Sequence, residues 1–190
     1  MTHSDPILIL DFGSQFTQLI ARRIRELNVY CEIHPFNISI EKIKDFNAKG
    51  IIFSGGPSSV YASDAPIVDK GIYELGVPVL GICYGLQMMA FQLGGEVDKA
   101  ARREFGRAQV TVDSADDIFK NVSSSTEVWM SHGDSLTTLP IGFEAIAHSE
   151  NAPICAVRNT TKKLFGVQFH PEVMHTKEGK RILSNFVFAI

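Results

Sequence analysis

Short aliphatic runs alternate with amphipathic stretches through the first half of the chain. Ile7 to Leu10, Val29 to Ile33, Ile51 to Phe53 and Val79 to Ile82 have strand length and are rich in β-branched residues. Between the first two, the apolar positions switch to helical spacing. Phe16, Leu19, Ile20, Ile24 and Leu27 share one face of a helix predicted from about Gln15 to Leu27, with Arg22, Arg23 and Glu26 opposite. A second helix is predicted near Pro66 to Leu75. In a third, Leu86, Met89, Ala90 and Leu93 line up before Gly94-Gly95 ends it. The second half is hairpin-like, with strands predicted near Ala108 to Val112, Glu127 to Met130, Glu144 to His148, Ile154 to Arg158 and Leu164 to Val167, then a last helix from about Lys177. This succession predicts an α/β fold: a doubly wound, mostly parallel sheet with extra antiparallel strands in its second half. No repeat, linker or low-complexity tract divides residues 1–190, so one domain is expected.

In open α/β sheets chemistry sits outside the carboxyl ends of the strands. Asp11 to Gly13, Ser54 to Pro57, Cys83 and His170 fall there. Cys83 stands out because Gly81 and Gly85 flank it between a buried strand and a helix. That pattern is a nucleophile elbow, a sharp turn with no room for neighbouring side chains. Free N–H groups at the head of the helix favour a thiolate there. Far downstream, Gly166-Val167-Gln168-Phe169 ends in His170-Pro171-Glu172. Pro171 constrains the backbone so that Glu172 can turn back to the imidazole. A nucleophile, a base and an orienting acid are therefore available for triad chemistry.

Composition narrows the possibilities. With 45% hydrophobic residues and 18 basic against 21 acidic side chains, the chain supports a cored domain with net charge -3. Nothing in that balance draws it to nucleic acid or to an anionic membrane. Arg102, Arg103 and Arg107 form the one notable basic cluster, by default a solvated face and the candidate surface for docking a partner. The three cysteines are widely spaced with no C-x-x-C pair, against a disulfide framework or zinc knuckle and in favour of a reducing cytoplasm. Ile7 to Leu10 is too short to span a bilayer, so no signal peptide or membrane segment is expected.

Each candidate has a bland alternative. Cys31 and Cys155 sit in apolar strand-like sequence and read as small buried hydrophobes. His3, His34, His148 and His175 read as surface or satisfied core histidines. A metal site from His170, Glu172 and His175 is disfavoured because Pro171 breaks any helical presentation, and no metal is expected. The Ser54-Gly55-Gly56-Pro57-Ser58-Ser59 loop lacks the Gly-Lys-Ser/Thr ending of a phosphate loop, and Pro57 removes a donor. Its glycines suit a different task. With the Tyr84 N–H, an N–H exposed by this loop would form an oxyanion hole opposite Cys83. Gln87, one turn beyond Cys83, shares its helix face and would reach a polar substrate.

Taken together, GICYG with Gln87, the SGGP loop and HPE at His170 to Glu172 resemble the class I, triad-type glutamine amidotransferases. ILDFGSQFTQLIARRIRE, GGPSSVYASDAP, REFGRA and MSHGD resemble, within that family, the glutaminase domains of GMP synthetases. The resemblance covers the whole chain and implies a flavodoxin-like fold. It implies that Cys83 attacks the glutamine γ-carboxamide, that the Gly56 and Tyr84 N–H groups hold the oxyanion, and that His170, oriented by Glu172, protonates the departing ammonia. Gln87 and Ser131-His132-Gly133-Asp134 would contact the α-amino and α-carboxylate groups of the substrate, largely through backbone. The implied partner is a GMP synthetase ATP pyrophosphatase domain, fused or separate. ATP and Mg are expected only in that domain, which these 190 residues lack, and no cofactor is expected in this chain. A cysteine hydrolase of the intracellular-protease type shares the elbow, but the His-Pro-Glu strand end and MSHGD speak against it. The intact Cys83, His170 and Glu172 set speaks against a catalytically silent binding module.

Overall fold

The computed structural model describes residues 5–190, the side chains of residues 100–104 excepted. Its strands are β1 (Ile7–Asp11), β2 (Cys31–Pro35), β3 (Gly50–Phe53), β4 (Val79–Ile82), β5 (Glu96–Val112), β6 (Ser125–Thr138), β7 (Glu144–Ser149), β8 (Ala156–Asn159) and β9 (Leu164–Val167). The helices are α1 (Thr17–Arg25), α2 (Ile40–Phe46), α3 (Tyr84–Gln92) and α4 (Gly179–Ala189). The nine strands form one sheet in the order β2-β1-β3-β4-β9-β8-β7-β5-β6. From β2 to β9 the neighbours run parallel, and from β9 to β6 they run antiparallel. This is the expected mixed architecture, parallel in the first half and antiparallel later.

Alternation along the strands assigns the layers. Ile7 and Ile9 point to one face, where they join Ile20 and Ile24 of α1 and Ile182 and Phe186 of α4. Leu8 and Leu10 point to the other, among Ile43 of α2 and Leu86 and Met89 of α3. The parallel strands read as unbroken apolar runs because helices cover both of their faces.

Three elements differ from expectation. The predicted helix near Pro66 to Leu75 is only a short 3-10 turn over Lys70–Glu74. Upstream of it the carbonyls are held by side chains of α3 instead of by a following N–H: Tyr84 Oη donates to Pro66 O at 2.8 Å and Gln92 Nε2 to Val68 O at 2.9 Å. Helix α2, not anticipated, is capped by Ser39, whose side chain accepts from the Lys42 N–H, and ended by Asn47 in the left-handed region. The strands expected at 108–112 and 127–130 are the sheet-bound ends of a much longer hairpin, β5 with β6, paired from Glu96–Thr138 to Thr111–Ser125 with a register shift between Lys99 and Glu104. This arm carries Ser131 to Asp134 back over the sheet. Of the basic cluster, Arg107 is exposed with Glu127 3.9 Å away, while the Arg102 and Arg103 side chains, like His3, lie outside the described residues.

Candidate active site

Strands β1, β3, β4 and β9 are neighbours, and all end on the same side. The segments that leave their carboxyl ends meet at one place. A cavity of about 730 Å³ opens there, lined by the loops after β1 and β3, by Cys83, Gln87 and His170, and by Ser131 to Asp134 of β6.

Cys83 forms the turn between β4 and α3 with φ 52° and ψ −109°, a left-handed conformation for a residue with a side chain. The neighbours make that turn possible. A Cβ on Gly81 would lie 2.6 Å from the Leu86 nitrogen, and one on Gly85 would lie 2.7 Å from the Phe53 oxygen, so both positions admit only glycine. The Cys83 N–H donates to Val167 O at 2.8 Å, which ties the elbow to β9.

His170 emerges just beyond β9 and is 4% exposed. Its N–H donates to Trp129 O at 3.0 Å, and its carbonyl accepts from Thr176 Oγ1 at 2.6 Å. The Nδ1 atom lies 2.7 Å from Glu172 Oε1, and the imidazole shares the cavity wall with Cys83. Burial works against the imidazolium, but the neighbouring Cys83 and the hydrogen bond and charge of Glu172 outweigh it and push the His170 pKa up to about 10. Phe16 sets its ring edge-on against the imidazole, centroids 5.3 Å apart.

The other side of Glu172 is fixed too. Arg23 Nε of α1 donates to its backbone carbonyl at 3.0 Å, and its carboxylate is fully buried. The Glu172 Oε2 atom has no hydrogen-bond partner among the described residues. A buried carboxylate with one committed oxygen is costly unless a cation sits beside it, and His170 is that cation.

This pairing has a pH signature. Because the folded pKa of His170 lies above its unfolded value near 6.5, the stability that the imidazolium contributes is fully present below pH 6.5 and is lost as pH rises through about 10. In denaturant titrations, the stability gap between the unaltered chain and Glu172→Gln should therefore be widest near pH 6 and close by about pH 10. A gap independent of pH would show that the carboxylate does not hold the charged imidazole.

The other expected residues lie around this row. Gly56 lines the cavity, and a Cβ there would lie 2.5 Å from Phe12 O. Tyr84 heads α3, where its N–H has no carbonyl of its own helix to meet. Its side chain takes no part in the cavity wall: burial pushes the phenol up to about 12, leaving it a neutral donor to Pro66 O. Ser131, His132, Gly133 and Asp134 all line the cavity, with His132 Nδ1 3.0 Å from Asp134 O. Gln87 lines the cavity with Cys83. It is 3% exposed and both N–H bonds of its amide are taken, by Asp134 O at 2.8 Å and Gln168 Oε1 at 3.1 Å, so only Oε1 is left to meet a ligand.

Several residues at the site carry no signal of their own in the sequence. Phe16, expected on the buried face of a helix, precedes α1 and faces His170. At Gly55 a Cβ would come within 3.0 Å of His170 Cε1 and 3.6 Å of Cys83 Cβ, so this glycine lets the two reactive groups meet. Gln168, fully buried, donates Nε2 to Cys83 Sγ at 3.6 Å. Three other described histidines have partners of their own: His34 pairs with Glu32, His148 with Asp113, and His175 packs against Trp129. Among the described residues no group of three or more His, Cys, Asp or Glu is placed to hold a metal ion. No helix among them is long and apolar enough to cross a membrane.

Fold and site together describe an α/β protein centred on a thiol, an imidazole and a carboxylate drawn from two adjacent strand ends. The chain belongs to the class-I glutamine amidotransferase family, whose sequence model matches residues 8–190. It is 56% identical over 186 residues to the GMP synthase (glutamine-hydrolyzing) of Brachyspira hyodysenteriae, covering 98% of this chain and 36% of that protein. To the same enzyme of Spiroplasma kunkelii it is 53% identical over 190 residues, covering 37% of that protein. The chain thus spans little more than a third of the length of these curated relatives. Among solved structures, a candidate GMP synthase subunit from Thermoplasma acidophilum superposes with a TM-score of 0.86 at 32% identity, over 98% of this chain and 94% of that one. A glutamine amidotransferase of Thermotoga maritima, at 22% identity and a TM-score of 0.69, shares the fold over 90% of this chain and 77% of that one.

Proposed function

We propose that this chain hydrolyses glutamine to glutamate and ammonia through a Cys83-His170-Glu172 triad, and that the ammonia serves a synthetase domain converting xanthosine monophosphate to GMP. The observation that carries this reading is the buried His170-Glu172 pair, 2.7 Å apart, on the wall of the same cavity as Cys83 at its strained turn.

Cys83 Sγ, as thiolate, attacks the γ-carbon of the substrate amide, and the carbonyl electrons move onto oxygen, which the Gly56 and Tyr84 N–H groups receive. His170 then gives its proton to the nitrogen as the C–N bond breaks, so that ammonia leaves and a thioester remains. Water, losing a proton to His170, attacks the thioester. Collapse returns the electron pair to sulfur and releases glutamic acid, which ionises into solvent. Glu172 stays charged throughout and holds His170 in one tautomer. Gln87 Oε1 and the backbone of Ser131 to Asp134 bind the amino-acid end of the substrate.

Ammonia released into water at neutral pH is mostly protonated and no longer a nucleophile, so a productive enzyme passes it directly to its acceptor. Adding a GMP synthetase catalytic domain with ATP and xanthosine monophosphate should raise the rate of glutamate release by the chain. The chain alone should give no saturable heat with ATP in calorimetry, because Ser54 to Ser59 lacks a phosphate-binding lysine. Unchanged release with the partner present would count against the coupling, and saturable ATP binding would mean that this loop holds phosphate after all.

A further inference from the structure

Gln168 sits one residue past β9, is 0% exposed, and has its backbone N–H bound to Cys155 O at 2.7 Å. Strand alternation would make it one more core position. A carboxamide has no place in a dry core unless its polar atoms are met, since unmet ones cost more than an aliphatic side chain of the same size. The partners it finds are therefore informative.

They form a directional chain. Asp134 O is a backbone carbonyl and can only accept, so the Gln87 atom 2.8 Å from it must be the nitrogen. That same nitrogen lies 3.1 Å from the Gln168 carboxamide, so the Gln168 atom facing it must be the oxygen. The Gln168 nitrogen is then the atom left to face Cys83 Sγ, at 3.6 Å. The direction of the last hydrogen bond is thus set by a carbonyl on another strand. Among the described residues the sulfur has one acceptor, Ser131 O at 3.6 Å, which suits a thiol, and one donor, Gln168, which suits a thiolate.

We propose that Gln168 is a catalytic residue of this site, donating its carboxamide N–H to the Cys83 sulfur, and that Gln87 is the positioning residue that fixes which end of that carboxamide faces the sulfur. The proposal rests on the reading of Cys83 as nucleophile. It gives Gln87 a task beyond holding substrate: it links Asp134, on the substrate-binding arm, to the reacting atom. A ligand that draws on the backbone of Ser131 to Asp134 acts on the same row of amides.

The test uses the 190-residue chain and two readouts, glutamine turnover and the rate of Cys83 alkylation by iodoacetamide at fixed pH. Gln168→Met keeps length and volume and removes the donor. Loss of one hydrogen bond to a charged acceptor predicts a fall in kcat and in alkylation rate of about 10- to 100-fold, with KM within about two-fold. Gln87→Met frees the Gln168 amide to reverse and should slow alkylation less. In alkylation, which needs no bound glutamine, the double variant should be no slower than Gln168→Met alone, because both act through one hydrogen bond. Full reactivity in Gln168→Met, or additive losses of alkylation rate in the double variant, overturns the proposal. Should Gln168→Met not fold, the unaltered chain decides: the Gln168 carboxamide resonances must shift when Cys83 is alkylated, and resonances that stay put overturn it equally. If Cys83→Ala still hydrolyses glutamine, the nucleophile reading has failed; if Cys83→Ala is dead while Gln168→Met is fully reactive, only the role of Gln168 has.

Discussion

Cys83→Ala is expected to remove glutamine hydrolysis, by on the order of 10⁴-fold or more, while the chain keeps its fold. Among the described residues that line the cavity Cys83 is the one thiol, and His170 lines the same cavity. Alanine fits the elbow because it needs no more space than the cysteine Cβ already occupies. Circular dichroism and glutamate release on the same sample check both halves. Trapping gives an independent answer. A glutamine-like chloroketone should label Cys83, 5% exposed on a cavity wall, and spare Cys31 and Cys155, which are 1% and 0% exposed. Cys31 is guarded further, since burial pushes its thiol up and Sγ donates to Ala21 O at 3.4 Å. Equal labelling of all three would sink the assignment.

The second large effect is an asymmetry within the row. His170→Ala removes the group that moves every proton and should cost nearly as much as losing Cys83. Glu172→Ala leaves an imidazole that can still transfer a proton but is no longer held in one tautomer, and its loss should be smaller by roughly 10- to 100-fold. The double variant should fall little below His170→Ala, because Glu172 has nothing to act on once the imidazole is gone. Steady-state rates of the three variants decide it, and independent, additive losses would mean that the two residues do not share a task.

The parallel half of the fold and the reactive centre were legible for the same reason. Helices cover both faces of β1, β3 and β4, so each is an unbroken apolar run, and a cysteine between glycines at the end of such a run has few structural explanations. The hairpin arm was harder to see. Both strands alternate in burial where described, with Val110 and Val112 buried on β5 and Val128, Met130 and His132 on β6, but the apolar run is short and ends well before the tip of the arm. The predicted helix near Pro66 failed because its carbonyls are claimed by Tyr84 and Gln92 of a later helix, a competition invisible in a local window. Gln87 could be placed on the right face of α3 but not given its partners, and Gln168 could not be distinguished from core. Its contact with Cys83 joins positions 85 residues apart, and only the β4–β9 pairing brings them together.

The backbone at Cys83 is held at a cost. A φ of 52° with a ψ of −109° is comfortable only for glycine, and a residue with a Cβ there costs about 1–3 kcal/mol. The chain would be more stable with glycine at this turn, so folding alone offers no reason to keep a cysteine there, and every copy that retains one reveals selection for what the sulfur does. A descendant released from that demand would drift toward glycine at position 83 before alanine or serine. The residue at this turn thus records, separately from any overall likeness of sequence, whether a lineage still uses the site.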